Sequence, residues 1–162
     1  MGNPVISIIM GSQSDLETVK EAIDLLKEFK VGFEVKVLSA HRTPKDLAEY
    51  VEEAPKRRVK IFIAAAGGAA ALAGVIAAHT TLPVIGVPIE TKSLKGLDSL
   101  LSTVQMPTGI PVACMAIGKA GSKNAGLFAL EILAISDKKI AKKLLRYKEN
   151  MRKKIKKIKV KI

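Results

Sequence analysis

Val5-Ile6-Ser7-Ile8-Ile9-Met10-Gly11-Ser12-Gln13-Ser14-Asp15-Leu16 contains the decision about the fold. Residues 5–10 are an apolar run of strand length that stops at Gly11, which reads as a buried strand. Leu16, Val19, Ile23 and Leu26 then recur at spacings of three and four, the period of an amphipathic helix. Ser14 is expected to cap that helix, with Glu17 three residues on completing a capping box. Gly32 is expected to close the helical region.

The same strand-then-helix unit repeats outward from this stretch. Phe33, Val35 and Val37 alternate with Glu34 and Lys36, a second strand near a sheet edge. Thr43-Pro44 starts a helix, with Thr as N-cap and Pro in the first turn, and Leu47, Val51 and Ala54 mark its inward face. Further strands are expected over 59–64, 83–87 and 112–117. Helices are expected over about 70–79, 96–104 and 120–135. Strands alternating with helices imply a parallel sheet covered on both faces.

The chain has 162 residues, which suits one domain or one domain with an appendage. Hydrophobic residues make up 48% and aromatics only 4%, so the core must be built from Ile, Val, Leu and Ala. The net charge of +12 is not spread evenly. Residues 138–162 hold thirteen Lys or Arg and one acidic residue, Glu149, while residues 1–137 carry fourteen of each sign. Two segments follow: an α/β body over 1–137 and a basic amphipathic helix over 138–162. Ile140, Leu144, Tyr147, Met151, Ile155 and Ile158 give that helix one apolar stripe. Packing on its own or a neighbouring subunit is favoured over a membrane surface or nucleic acid.

Cys114 is the single cysteine, so no internal disulfide or zinc spacing exists, and a buried inert thiol is expected. No secretory signal or membrane span is expected, and a cytoplasmic location fits the cysteine usage.

Ligands of open parallel sheets bind outside the carboxyl ends of the strands, which directs attention to four segments. In Gly11-Ser12-Gln13-Ser14-Asp15, small residues and helix amides suit an anion, whereas Asp15 would repel phosphate and better suits sugar hydroxyls. Plain helix capping is an equal alternative. Ser39-Ala40-His41-Arg42-Thr43-Pro44 gathers a hydroxyl, an imidazole and a guanidinium at one strand end. Arginine suits phosphate by bidentate bonding, and histidine moves protons near neutrality. A hydrogen-bonded structural histidine beside a surface arginine stays open on these residues alone. Ala64-Ala65-Ala66-Gly67-Gly68-Ala69-Ala70-Ala71 offers only backbone and space, suited either to a flat ring or to close helix–sheet packing. The fourth segment, after residue 117, opens the late helix with Lys119-Ala120-Gly121-Ser122-Lys123-Asn124. His79 lacks patterned ligand partners and reads as a structural residue at a helix C-terminus.

Several of these stretches, taken in order, resemble one family. They are Gly11-Ser12-Gln13-Ser14-Asp15, Ser39-Ala40-His41-Arg42-Thr43-Pro44, Ala66-Gly67-Gly68-Ala69-Ala70, Leu82-Pro83-Val84-Ile85-Gly86-Val87-Pro88, Gly96-Leu97-Asp98-Ser99-Leu100-Leu101, Gln105-Met106-Pro107 and Asn124-Ala125-Gly126. The resemblance is to the PurE family, class I N5-carboxyaminoimidazole ribonucleotide mutases, also called phosphoribosylaminoimidazole carboxylase catalytic subunits, and it runs over residues 5–136. It implies a three-layer α/β sandwich on a flavodoxin-like or Rossmann-like parallel sheet. It also implies a carboxylate shift within an aminoimidazole ribonucleotide in purine biosynthesis, with a trapped CO2 intermediate, no metal or organic cofactor, and a homo-octamer. By resemblance His41 is the general acid/base, Ser12, Ser39 and Arg42 hold the 5′-phosphate, Asp15 takes ribose hydroxyls, and Ala66, Gly67 and Gly68 line the base pocket. Ala40 and Leu72 count as substrate-binding positions. Direct carboxylation of aminoimidazole ribonucleotide with CO2, or a non-catalytic nucleotide-binding role, are the alternatives. The chain departs from the family run Ala-Gly-Ala-Gly-Gly-Ala-Ala-His-Leu-Pro-Gly at Ala71 and Ala73, where the family has histidine and proline.

Overall fold

The computed structural model describes residues 3–160. Five parallel strands form one sheet in the order β2-β1-β3-β4-β5. They are β1 (Ile6–Met10), β2 (Phe33–Val37), β3 (Ile61–Ala66), β4 (Val84–Pro88) and β5 (Ala113–Cys114). The helices are α1 (Leu16–Phe29), α2 (Pro44–Glu52), α3 (Leu72–Ala78), α4 (Leu97–Val104), α5 (Gly118–Ala134) and α6 (Lys138–Lys156). The arrangement is flavodoxin-like, with helices on both faces. The chain divides between Ala129 and Leu130 into two compact units.

Alternation along the strands decides which residues meet which helices. Ile9, Phe62, Ala64 and Val84 join Leu47 and Val51 of α2 and Leu72, Ala73 and Ile76 of α3 in one core cluster. The opposite face buries Ile6, Ile8, Ile61, Ile63 and Ile85. There α1 approaches α5 at Gly126, where an added Cβ would lie 3.1 Å from Leu25. Each fully buried Ile or Leu contributes roughly 1.5–3 kcal/mol, so a core without tryptophan remains sufficient.

Edge strand β2 is tied to α2 by a half-buried polar network. Tyr50 donates to Glu34 at 2.5 Å and lies 3.0 Å from the Ser7 hydroxyl. Arg57 donates to Glu34 and to the Tyr50 carbonyl, and its guanidinium lies 4.1 Å from the Tyr50 ring centroid. Burial, then the Glu34 bond, pushes the Tyr50 hydroxyl up to about 12, so it remains a donor. The network fixes α2, and α2 carries the loop in front of it.

Three local expectations change. A tight 3-10 turn over Gln13–Asp15 precedes α1; Ser12 and Asp15 form the capping box of that turn, and α1 follows with Asp15 at its N-cap and no side-chain capping bond. Glu17 instead meets Lys119 at 2.6 Å. Helix α1 ends at left-handed Lys30 (φ 57°), not at Gly32. The Lys30 amide reaches Lys27 and the Val31 amide reaches Leu26, a Schellman closure that satisfies the last carbonyls despite the non-glycine cap. Strand β5 is an edge strand that pairs only at Ala113 and Cys114, with one further bond from the Met115 amide to the Gly86 carbonyl. Cys114 is half-buried there, and burial pushes its thiol up, which fits an inert role.

In the second unit, Asp137 caps α6 by accepting from the amides of Lys139 and Ile140. Lys148 pairs with Glu131 at 2.8 Å. Leu144 is buried, while Met151, Ile155 and Ile158 are exposed. No helix among the described residues is long and apolar enough to cross a membrane.

Candidate active site

A cleft of about 320 Å³ opens at the carboxyl ends of β1, β2 and β3. The strand order reverses between β1 and β3, and this crevice is where flavodoxin-like sheets hold ligands. Its wall takes in nine of the ten positions expected from the sequence: Ser12, Asp15, Ser39, Ala40, His41, Arg42, Ala66, Gly67 and Leu72. Gly11, Ala70 and Ala71 complete it. The tenth position, Gly68, stands just beyond the wall in the loop after β3.

The loop after β1 is folded by its own polar groups. The Ser12 hydroxyl accepts from the Ser14 amide and from the Ser14 hydroxyl, 3.3 and 2.9 Å away. Its own proton remains available to a ligand. Asp15 accepts from the Ser12 amide at 3.2 Å. Asp15 is 8% exposed, and burial raises its carboxyl above the ordinary range, against the opposing pull of the Ser12 amide, the Ser14 hydroxyl and the Arg42 charge. Fold and ionised Asp15 are therefore in conflict. A raised folded pKa means that this group's stabilising contribution is full at low pH and is lost as pH rises through the folded value. Asp15→Asn is expected to melt higher than wild type at about pH 7, the gap closing as pH falls through the carboxylate range. Thermal melts across that range check the prediction, and a gap that widens on acidification would contradict it.

The loop after β2 is braced by Thr43 and Arg42. Thr43 occupies the N-cap position of α2, but its hydroxyl accepts from the Ser39 amide at 2.9 Å and donates to the Ser39 carbonyl. It clamps the loop rather than satisfying a helix amide. Arg42 Nη2 donates to the Gly11 carbonyl at 2.7 Å, and Nε to the Ser39 hydroxyl at 3.4 Å. The guanidinium thus ties the first two loops together with two of its five donors and presents the rest.

His41 is exposed and has no hydrogen-bond partner among the described residues. His79 lies outside this cleft, with Nδ1 2.9 Å from the Glu52 carboxylate. One imidazole is therefore held by the protein, and the other is open to a ligand beside a phosphate-suited guanidinium. No group of three or more His, Cys, Asp or Glu suited to a metal occurs among the described residues.

The third wall, at the end of β3, is nearly all backbone. Gly68 adopts φ +68°, a left-handed conformation that favours glycine. Ala71 presents only a methyl group to the cleft. Ser99, which contacts this loop from α4, is not among the site residues expected from the sequence. Helix α4 is inverted: Ser99 and Thr103 are buried, while Leu97, Leu101 and Val104 are about half exposed. Polar residues spaced four apart, Ser99 and Thr103, were the available signal.

A doubly wound sheet with this cleft defines an α/β protein equipped to hold a small anionic ligand beside a free imidazole. The chain belongs to the AIR carboxylase family, whose model matches residues 5–154. It is 58% identical over 147 residues to the N5-carboxyaminoimidazole ribonucleotide mutase of Bacillus subtilis, covering 91% of each chain. It is 57% identical over 152 residues to the mutase of the same name from Pyrococcus abyssi, covering 94% of this chain and 86% of that one. The crystal structure of Treponema denticola PurE superposes with a TM-score of 0.85 at 31% identity, over 94% of both chains.

Proposed function

We propose that the chain isomerises N5-carboxyaminoimidazole ribonucleotide to 4-carboxy-5-aminoimidazole ribonucleotide in purine biosynthesis, with His41 as the general acid/base. The observation that carries this reading is the identity, above one half, to mutases spanning nine-tenths of the chain.

The residues of the cleft suit each part of that substrate. The Arg42 guanidinium and the Ser12 and Ser39 hydroxyls converge on a place for the 5′-phosphate, and the α2 N-terminus adds positive potential. Asp15 accepts from ribose hydroxyls. The aminoimidazole lies along Ala66, Gly67 and Leu72, with Ala40 and Gly68 shaping its margins. In the reaction the carbamate C–N bond breaks, its electrons stay on nitrogen, and that nitrogen takes a proton. The released CO2 is held in the cleft, and ring C4 attacks it. His41 then removes the C4 proton, so the proton added at nitrogen is balanced by the one taken from carbon. Holding CO2 beside C4 supplies the proximity that free CO2 lacks.

Assembly as a homo-octamer in the cytoplasm completes the proposal. It is supported by the exposed Leu94, Leu97, Leu101 and Val104 on and beside α4, large apolar groups that water disfavours. The functional division falls at residue 137, and the basic helix beyond it packs on its own or a neighbouring subunit. Incubation with the N5-carboxy ribonucleotide, without added bicarbonate, is expected to form the C4-carboxy isomer. Turnover only of aminoimidazole ribonucleotide with bicarbonate would overturn the assignment.

A further inference from the structure

The loop after β3 has almost no side chains with which to hold itself, yet its conformation sets one wall of the cleft. Its fixings come from behind. The fully buried Ser99 hydroxyl accepts from the Gly68 amide at 3.0 Å and donates to the Ile89 carbonyl at 2.7 Å. The Ile89 amide in turn donates to the Ala66 carbonyl at 2.9 Å. Ser102 donates to the Asp98 carbonyl at 2.8 Å and, more weakly, to the Gly68 carbonyl at 3.4 Å. Both polar groups of the Gly68 peptide are thereby turned toward α4 instead of the cleft.

Helix α4 is itself anchored at its start. Thr91 donates to Asp98 at 2.8 Å, and the Gly96 amide donates to Thr91. Gly67 sits against Ile89 and Thr91, where an added Cβ would lie 3.5 Å from the Ile89 side chain. The path from α4 to the cleft wall is therefore short: Asp98 and Thr91 set α4, Ser99 sets Gly68, and Gly68 sets Gly67 and Ala66.

We propose that Ser99 is a positioning residue, which holds the Gly67–Gly68 loop closed against the reacting carboxyl group through the Gly68 amide. The proposal rests on the function given above and adds to it a cause for CO2 retention. Ser99 touches no substrate. It takes up the Gly68 donor, fixes the left-handed turn at that residue, and so keeps the neighbouring backbone close to the ring. Without its oxygen the amide has no acceptor behind it, the turn relaxes, and the wall loosens at the place where CO2 must wait.

The test compares wild type with Ser99→Ala and Ser99→Thr, with folding checked by circular dichroism. Ser99→Ala is expected to lose roughly tenfold in kcat/KM, the equivalent of one neutral hydrogen bond. It should also release several-fold more decarboxylated aminoimidazole ribonucleotide per C4-carboxy product. Hydrogen exchange in a peptide spanning residues 67–72 should rise in parallel. Ser99→Thr keeps the hydroxyl and should restore both the product ratio and the protection. A folded Ser99→Ala protein with wild-type product ratio and wild-type exchange would overturn the proposal, whatever its total activity. Should Ser99→Ala fail to fold, Ser99→Cys fills the site with a larger but poorer acceptor and carries the same comparison. If the wild-type chain forms no C4-carboxy isomer, the functional assignment falls, and exchange at residues 67–72 alone decides the role of Ser99.

Discussion

His41→Asn is expected to lose about 10³-fold in kcat while KM changes little. Asparagine retains a polar side chain of similar reach but cannot cycle a proton near neutrality. The other cleft groups keep their own fixings: Thr43 still clamps Ser39, and Arg42 still bridges to Gly11. Binding should therefore survive while proton removal from C4 fails. Because His41 has no hydrogen-bond partner among the described residues, its replacement leaves no protein group orphaned, and the melting temperature should remain near that of wild type. Steady-state kinetics and a thermal melt check both parts. Full activity in the variant would remove His41 from the chemistry.

Arg42→Ala is expected to lose about 10²-fold in kcat/KM, mostly through KM. Two effects combine. The phosphate loses charge-assisted bonds worth about 1.5–3 kcal/mol each, and the loops after β1 and β2 lose the bond that joins them. Arg42→Lys should recover only part of the loss, since an ammonium group cannot hold the Gly11 carbonyl, the Ser39 hydroxyl and a phosphate at once. A fall confined to kcat, with KM unchanged in both variants, would place the phosphate elsewhere.

The sheet was legible because its strands are short apolar runs separated by helices of unmistakable period. Their ends were less so. Strand β3 continues to Ala66, since small residues without polarity can either extend a strand or begin a turn. The capping box sits on the preceding 3-10 turn, with Ser12 and Asp15 as its pair, and leaves α1 to start at Asp15 without a side-chain cap of its own. In the cleft, the polar lining was legible: Ser12, Asp15, Ser39, His41 and Arg42 are reactive or charged groups placed just after strands. Ser99 did not, because its contribution is a hydrogen bond to a backbone amide 31 residues away, and nothing local encodes that meeting. The inverted face of α4 was hidden for a related reason. The helical pattern over 96–104 assigns no inward face, and Gly86 brings β4 so close to Thr103 that only small residues fit between sheet and helix, which leaves Leu97, Leu101 and Val104 outward.

In the proposed function the cleft moves a carboxyl group within one bound molecule and keeps it from solvent while it moves. The most direct test supplies substrate labelled with carbon-13 in its N5-carboxyl group, in buffer containing unlabelled bicarbonate, and follows the label into product by NMR. Retention of the label at the C4-carboxyl group through early turnover is the predicted result. A product carrying mainly unlabelled carbon would show that CO2 leaves and returns from bulk, and would contradict internal transfer.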